Sequence, residues 1–289
     1  MDGALRIEQA LAIVLGETAG AGNPPRLAAA MRYAVFPGGA RIRPRLCLAV
    51  AQACGEDHPE VTDRAASAIE LLHCASLVHD DMPCFDDAPT RRGKPSVHRA
   101  FGERLAVLTG DALIVLAFES LARVGAIAPS RLVSLLQIVG RAVGAPNGIV
   151  AGQAWECEPC VSLKEYHRSK TGAMFSAATQ AGAAAAGADP SLWIALGESL
   201  GEAYQVADDL RDAAGDPEAL GKPVGRDEAL GRPSAVGELG LSGAIDRLEQ
   251  LLAGVMASIP PCPGSKALRE HILIEARSLL PESIARRAA

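Results

Sequence analysis

Two short runs of carboxylates, each closing an apolar segment of helical character, constrain this chain more than any other feature. The first is Leu77-Val78-His79-Asp80-Asp81-Met82-Pro83-Cys84-Phe85-Asp86-Asp87, and the second is Gln205-Val206-Ala207-Asp208-Asp209-Leu210-Arg211-Asp212. Acids crowded together repel one another and are costly to desolvate. A solvated helix end accounts for one such cluster. Two of them, each ending an apolar helix, point to shared cations. His79 and Cys84 lack the paired spacing of a zinc site. Hard oxygen donors dominate, which points to Mg²⁺, an ion that takes one or two carboxylates and completes its shell with water and substrate phosphate.

The segments between the clusters are rich in Ala and Leu and poor in β-branched or aromatic runs, so the expected fold class is all-α. Nearly half of the 289 residues are apolar, and no Ser/Gly-rich or Pro-rich linker divides them, which predicts a single domain over 1–289. A net charge of −6 argues against a nucleic-acid partner. Seven scattered cysteines read as the reduced thiols of a cytoplasmic protein. Cys157-Glu158-Pro159-Cys160 has no second pair to complete a metal site. Residues Met1 to Ala12 carry Asp2, Arg6 and Glu8 and do not read as a signal peptide, and no run approaches the ~20 apolar residues of a membrane span.

Periodicity and breakers predict helices over Arg6–Leu15, Leu27–Phe36, Arg45–Cys54, Pro59–His79, Leu105–Ala126, Ser130–Val143, Leu163–Gly187 and Pro190–Arg211, with two or three more to finish the chain. Asp80 and Asp86 are six residues apart, about 120° off a shared helical face. Pro83 cannot continue the ladder, so the chain opens there and Asp86 turns back towards Asp80. Asp208 and Asp212, four apart, share a face. Pro37-Gly38-Gly39 is a turn followed by Arg41, Arg43 and Arg45, which is either surface charge or an anion cradle. Gly215 to Gly231 reads as a mobile loop carrying Lys222 and Arg226.

Arg43, Arg91, Arg92, Lys170 and Lys222 complement the acids. Mg²⁺ together with Arg and Lys is a combination that grips phosphate, and an apolar helical bundle beneath it suits a hydrocarbon tail. No Walker sequence is present, since Gly221-Lys222 runs into Pro223. No calcium loop starts at Asp80, because Met82 and Cys84 take its third and fifth positions. The residues therefore point to a phosphorylated, lipid-like substrate.

Asp80 to Asp86 with its four-residue spacer, Arg91-Arg92-Gly93-Lys94-Pro95, Thr109-Gly110-Asp111-Ala112-Leu113, Gly152-Gln153, Lys170-Thr171-Gly172, Gln205 to Asp212 and Gly221-Lys222 stand in one order. In that order the chain resembles the trans-isoprenyl diphosphate synthases of the short-chain, geranylgeranyl type, over roughly Leu27 to Pro233. Phe36 to Pro44 and Pro83 to Pro95 are similar to enzymes of bacterial carotenoid and bacteriochlorophyll pathways. The resemblance implies one helical bundle around a central apolar cavity, and a homodimer paired through long central helices, to which the apolar Leu105–Ala126 run is suited.

The resemblance also implies roles. Asp80, Asp86 and Asp208 bind Mg²⁺, with Asp81, Asp209 and Asp212 as further ligands or supports. Arg91, Lys170, Thr171, Gln205 and Lys222 hold an allylic diphosphate. Arg43, His73 and Arg92 hold isopentenyl diphosphate. The six aspartates with Lys170 and Lys222 form the catalytic set. Two departures stand out: Ala40 replaces the lysine of the family's Gly-Gly-Lys-Arg motif, and Arg232 replaces a later lysine. Ala75 and Ser76, small residues on the helix ending at Asp80, leave the tail room where fifteen-carbon synthases often carry an aromatic ring. A twenty-carbon product is expected, with fifteen carbons as the alternative. A non-catalytic regulatory subunit and a terpene cyclase are the other readings. Both acid motifs are intact, against the first, and only two Trp, three Tyr and five Phe are present, against the aromatic lining of the second.

Overall fold

The computed structural model describes residues 2–18, 20, 22–159, 162–214 and 234–279; Lys222, Arg226 and Arg232 lie outside the described residues. The helices are α1 (Gly3–Gly16), α2 (Pro25–Val35), α3 (Ile42–Cys54), α4 (Pro59–Asp80), α5 (Val97–Phe101), α6 (Glu103–Ala122), α7 (Pro129–Val143), α8 (Ile149–Ala154), α9 (Leu163–His167), α10 (Ala173–Ala185), α11 (Ile194–Ala214), α12 (Ala235–Ala257) and α13 (Ser265–Leu279). The sequence-based helices match these closely. α3 begins three residues early because Pro44 falls within its first turn, where no intrahelical N–H is lost.

α4 is the central element. Pro59 starts it with a preset φ, and buried residues from Val61 to Asp80 lie on nearly all of its faces, as a helix packed on every side requires. It lies against α6, α3 and α10. One connected core runs from Ile7 on α1 to Ile272 on α13.

α10 explains the Ala-rich run. Ala177, Ala178, Ala181 and Gly182 to Ala185 are all buried, and the helix sits between α3 and α11. A Cβ on Gly182 would stand 2.4 Å from the Cys47 carbonyl oxygen on α3. The backbones touch there, so only glycine fits.

Several features escaped the sequence reading, the short helices α5 and α8 among them. Thr90–Arg91 (β1) and Lys94–Pro95 (β2) form a two-residue antiparallel hairpin. Its turn is Arg92-Gly93, with φ of 53° and 74°, the paired positive angles of a tight hairpin loop. The expected helix over Leu163–Gly187 is interrupted by a π turn at Arg168–Gly172. Such turns concentrate at functional sites.

Glu103–Ala126, α6 with its 3₁₀ extension, is long and apolar enough to cross a membrane by length and composition, against the sequence expectation. It serves as a core helix here: Leu113, Leu116, Ala117 and Leu121 are buried, and it packs on α4 and α2. Val107, Leu108 and Val115 on its other side are exposed.

Candidate active site

The first acid cluster forms as the proline predicts. α4 stops at Asp80, and the Asp86 N–H donates to the Asp80 carbonyl at 2.9 Å. The Asp87 and Ala88 N–H groups bond back to Met82 and Asp81. Asp86 is thus folded against the end of the helix that carries Asp80.

Asp80 is buried, and its Oδ1 accepts from Gln153 Nε2 at 2.6 Å. Burial pushes its carboxyl above the usual range, with Asp86 and Glu156 adding to the push; Lys170 and the Gln153 bond oppose it. Asp81 points elsewhere: Arg91 grips it through Nη2 at 2.5 Å and Nε at 3.0 Å. Arg91 is therefore tied to the acid loop and anchors the β1–β2 hairpin there.

Lys170 stands in the π turn. Its Nζ donates to Glu156, and lies 3.2 Å from the Tyr166 hydroxyl. Burial would lower its pKa, but Asp80, Tyr166 and Glu156 outweigh burial and raise it, so Lys170 is firmly cationic. Next to it, the Thr171 hydroxyl donates to Gln205 Oε1 at 2.7 Å. That bond joins the π turn to the second acid cluster.

On α11 the three acids part company. Asp208 accepts from Arg211 at 3.2 Å. Asp209 is buried; it accepts from Gln205 at 2.9 Å through Oδ1 and from the Ala235 N–H at 2.7 Å through Oδ2. Asp209 thereby caps the start of α12, where free N–H groups favour a carboxylate. Asp212 lies one turn beyond Asp208 on the same face.

The cations also separate. Arg41 is buried and bonds inward, to Glu8 at 2.8 Å, to Glu70 at 2.6 Å and to the Val35 carbonyl at 2.7 Å. All three of its nitrogens are engaged, so it does not replace the cation lost at Ala40. Arg43 lies against the rings of Phe175 and Tyr204, which pack on each other, at 4.8 and 5.5 Å from their centroids, and Nη1 approaches His73 Nε2 at 3.4 Å. Burial, then Arg43, Arg92, Arg91 and Arg41, hold the His73 pKa well below the ordinary range. A neutral imidazole next to a guanidinium accepts at Nε2. Arg92 reaches to within 3.9 Å of Glu70, and Lys94 holds the Tyr33 and Phe36 carbonyls at the end of α2.

One end of the bundle thus gathers Asp80, Asp86, Lys170, Thr171 and Gln205. Arg43 and His73 adjoin it, and Asp208 acts electrostatically on Arg43. Asp81 and Asp209 are committed to Arg91 and to α12. Ala75 and Ser76 are buried further down α4. Gln153, Glu156, Tyr166 and Glu70 were given no role from sequence. The Gly152-Gln153 motif could have flagged the first two, since Glu156 follows Gln153 by three residues on the same helical side.

The donor set fits Mg²⁺. Asp80 and Asp86 offer hard carboxylate oxygens from one turn, and the nearby cations suit the phosphate that completes such an ion's shell. A mainly helical bundle with carboxylates and cations gathered at one end is the class of fold and site that can hold a metal-bound diphosphate. The model of the polyprenyl synthetase family matches residues 24–257, and the chain belongs to that family. It is 55% identical over 282 residues to a geranylgeranyl diphosphate synthase of Cereibacter sphaeroides, covering 98% of each chain. It is 54% identical over 275 residues to a geranylgeranyl diphosphate synthase of Rhodobacter capsulatus, covering 95% of each. A crystal structure of a geranyltransferase from Helicobacter pylori, complexed with magnesium and isoprenyl diphosphate, superposes with a TM-score of 0.83 at 29% identity, over 94% of this chain and 95% of that one.

Proposed function

We propose that this chain condenses isopentenyl diphosphate with an allylic diphosphate, head to tail, to give geranylgeranyl diphosphate. The observation that carries this reading is the buried Asp80, with Asp86 folded back to the same helix end, beside a firmly cationic Lys170. Lys170, Thr171, Gln205 and Arg91 hold the allylic diphosphate, with Lys222 as a further cation. Arg43, His73 and Arg92 hold isopentenyl diphosphate. Asp80, Asp86 and Asp208 would hold Mg²⁺, which when bound would supply positive charge to the departing diphosphate. The allylic cation left behind is attacked by the isopentenyl double bond, and a proton is lost to the departing diphosphate. The protein supplies orientation and electrostatics: Arg43 is held against two rings, and His73 is kept neutral as an acceptor. Chelating Mg²⁺ with EDTA abolishes turnover and readdition restores it; turnover that survives chelation contradicts this reading.

Ala40 leaves the isopentenyl site one cation short, and the internal bonds of Arg41 support the view that the loss is uncompensated. Ala40→Lys lowers the KM for isopentenyl diphosphate by up to about tenfold, the equivalent of ~1.4 kcal/mol from one charge-assisted hydrogen bond. The allylic KM moves little. An unchanged isopentenyl KM shows that another group already fills the role.

We also propose a homodimer paired through α6. The exposed Val107, Leu108 and Val115 support it, since apolar surface of this kind is usually covered. Light scattering at micromolar concentration gives twice the chain mass; a monomer mass contradicts the pairing. Reduced cysteines support a cytoplasmic enzyme. Its assignment to carotenoid or bacteriochlorophyll biosynthesis rests on the similarity of Phe36–Pro44 and Pro83–Pro95 to enzymes of those pathways.

A further inference from the structure

We propose that Glu156 is a positioning residue that holds Lys170 off Asp80 and so keeps Asp80 open to a divalent cation. The inference rests on the reading of Asp80 and Lys170 given above.

Four observations carry it. Gln153 and Glu156 stand three residues apart where α8 runs into the 3₁₀ turn Trp155–Cys157. From there Gln153 donates to Asp80 at 2.6 Å, while Glu156 accepts from Lys170 and, at 2.6 Å, from the Tyr166 hydroxyl. One short segment therefore fixes both the anion and the cation. That segment is itself fixed, because a Cβ on Gly152 would stand 2.5 Å from the Lys170 backbone N and Cα. Finally, Asp80 also acts electrostatically on Lys170.

A lysine side chain is a flexible stem with a point charge. Without the Glu156 charge, the attraction of Asp80 draws it, and an ammonium on the Asp80 carboxylate competes with a metal ion for the same oxygens. Losing a negative charge close to Asp80 also weakens the field that attracts a dication. Both effects act in one direction, towards weaker metal binding.

The test is binding of Mn²⁺, in place of Mg²⁺, to the full chain with inorganic pyrophosphate present, followed by electron paramagnetic resonance. Glu156→Gln raises the Mn²⁺ Kd by about tenfold, the usual scale for a residue that acts through a ligand's surroundings. The Mg²⁺ concentration for half-maximal turnover rises in parallel. Tyr166→Phe shifts both in the same direction by less. Glu156→Asp, which keeps the charge, recovers most of the affinity, whereas a merely structural role makes the Gln and Asp variants alike. Unchanged or tighter Mn²⁺ binding in a folded Glu156→Gln variant overturns the proposal. Asp80→Asn separates the two levels: if it abolishes Mn²⁺ binding while Glu156→Gln leaves it untouched, only the role of Glu156 fails. If Asp80→Asn also leaves binding unchanged, the reading of Asp80 fails with it.

Discussion

Asp80→Asn lowers kcat by about 10²–10³-fold, the range seen when one element of transition-state charge stabilisation is removed. The substitution keeps the shape of the side chain and an oxygen able to accept from Gln153, so the loss reports charge and not packing. Thermal stability measured without Mg²⁺ does not fall, because Asp80 is buried beside Asp86 and Glu156 and its pKa is raised in the folded state. A group whose folded pKa is raised opposes folding at neutral pH, where it is ionised. Activity and stability therefore move independently, as expected where function sets the residue. Asp208→Ala produces a loss of the same order if the two acid clusters serve one reaction. Full activity in Asp208→Ala would show that α11 supplies no essential charge.

Ala75→Tyr shortens the product from twenty carbons to fifteen. Ala75 lies five residues before Asp80 on α4, about 7.5 Å along the axis at ~1.5 Å per residue. It is 1% exposed and Ser76 is 7% exposed. A hydrocarbon tail running down α4 from the diphosphate site passes these small side chains and meets the next turn at Leu71 and Leu72. Phe118 on α6, half-buried against the same core, is a candidate for the deeper floor. A phenol ring at Ala75 projects across that path. If no path exists, the ring has to displace close-packed core, at a cost of about 1–3 kcal/mol. The two cases separate in one variant: a shorter product with little loss of Tm supports the path, and unchanged product length with a marked loss of Tm contradicts it.

The helices were legible because their apolar periods and their Pro and Gly breakers agree. The return of Asp86 towards Asp80 was legible from Pro83 alone, since a residue that cannot continue the ladder ends the helix at the acids. The hairpin was not. Its strands are two residues each, and its turn places Arg92, not a glycine or asparagine, at the first positive φ. The π turn at Lys170 was also hidden, because an extra residue in a helical turn leaves no mark on a short polar stretch.

The three arginines after the Gly-Gly turn show most clearly where sequence runs out. They read as one cluster of charge, but Arg41 turns into the core towards Glu8 and Glu70, Arg43 lies against a pair of aromatic rings, and Arg45 pairs with Glu275 on α13 at 2.5 Å. Spacing gives the type of side chain available and leaves its direction to tertiary packing. The same limit applied to the acids. Asp208 and Asp209 are neighbours in sequence, yet Asp209 caps α12, a helix whose position no local pattern reveals.

Product analysis of the unmodified chain is the most direct test. Purified protein is incubated with isopentenyl diphosphate, Mg²⁺ and each allylic starter in turn, and the product chain length is read by chromatography after dephosphorylation. The result expected is a twenty-carbon product from every accepted starter, geranylgeranyl diphosphate. Accumulation of a fifteen-carbon product from shorter starters, with farnesyl diphosphate refused as a substrate, contradicts it.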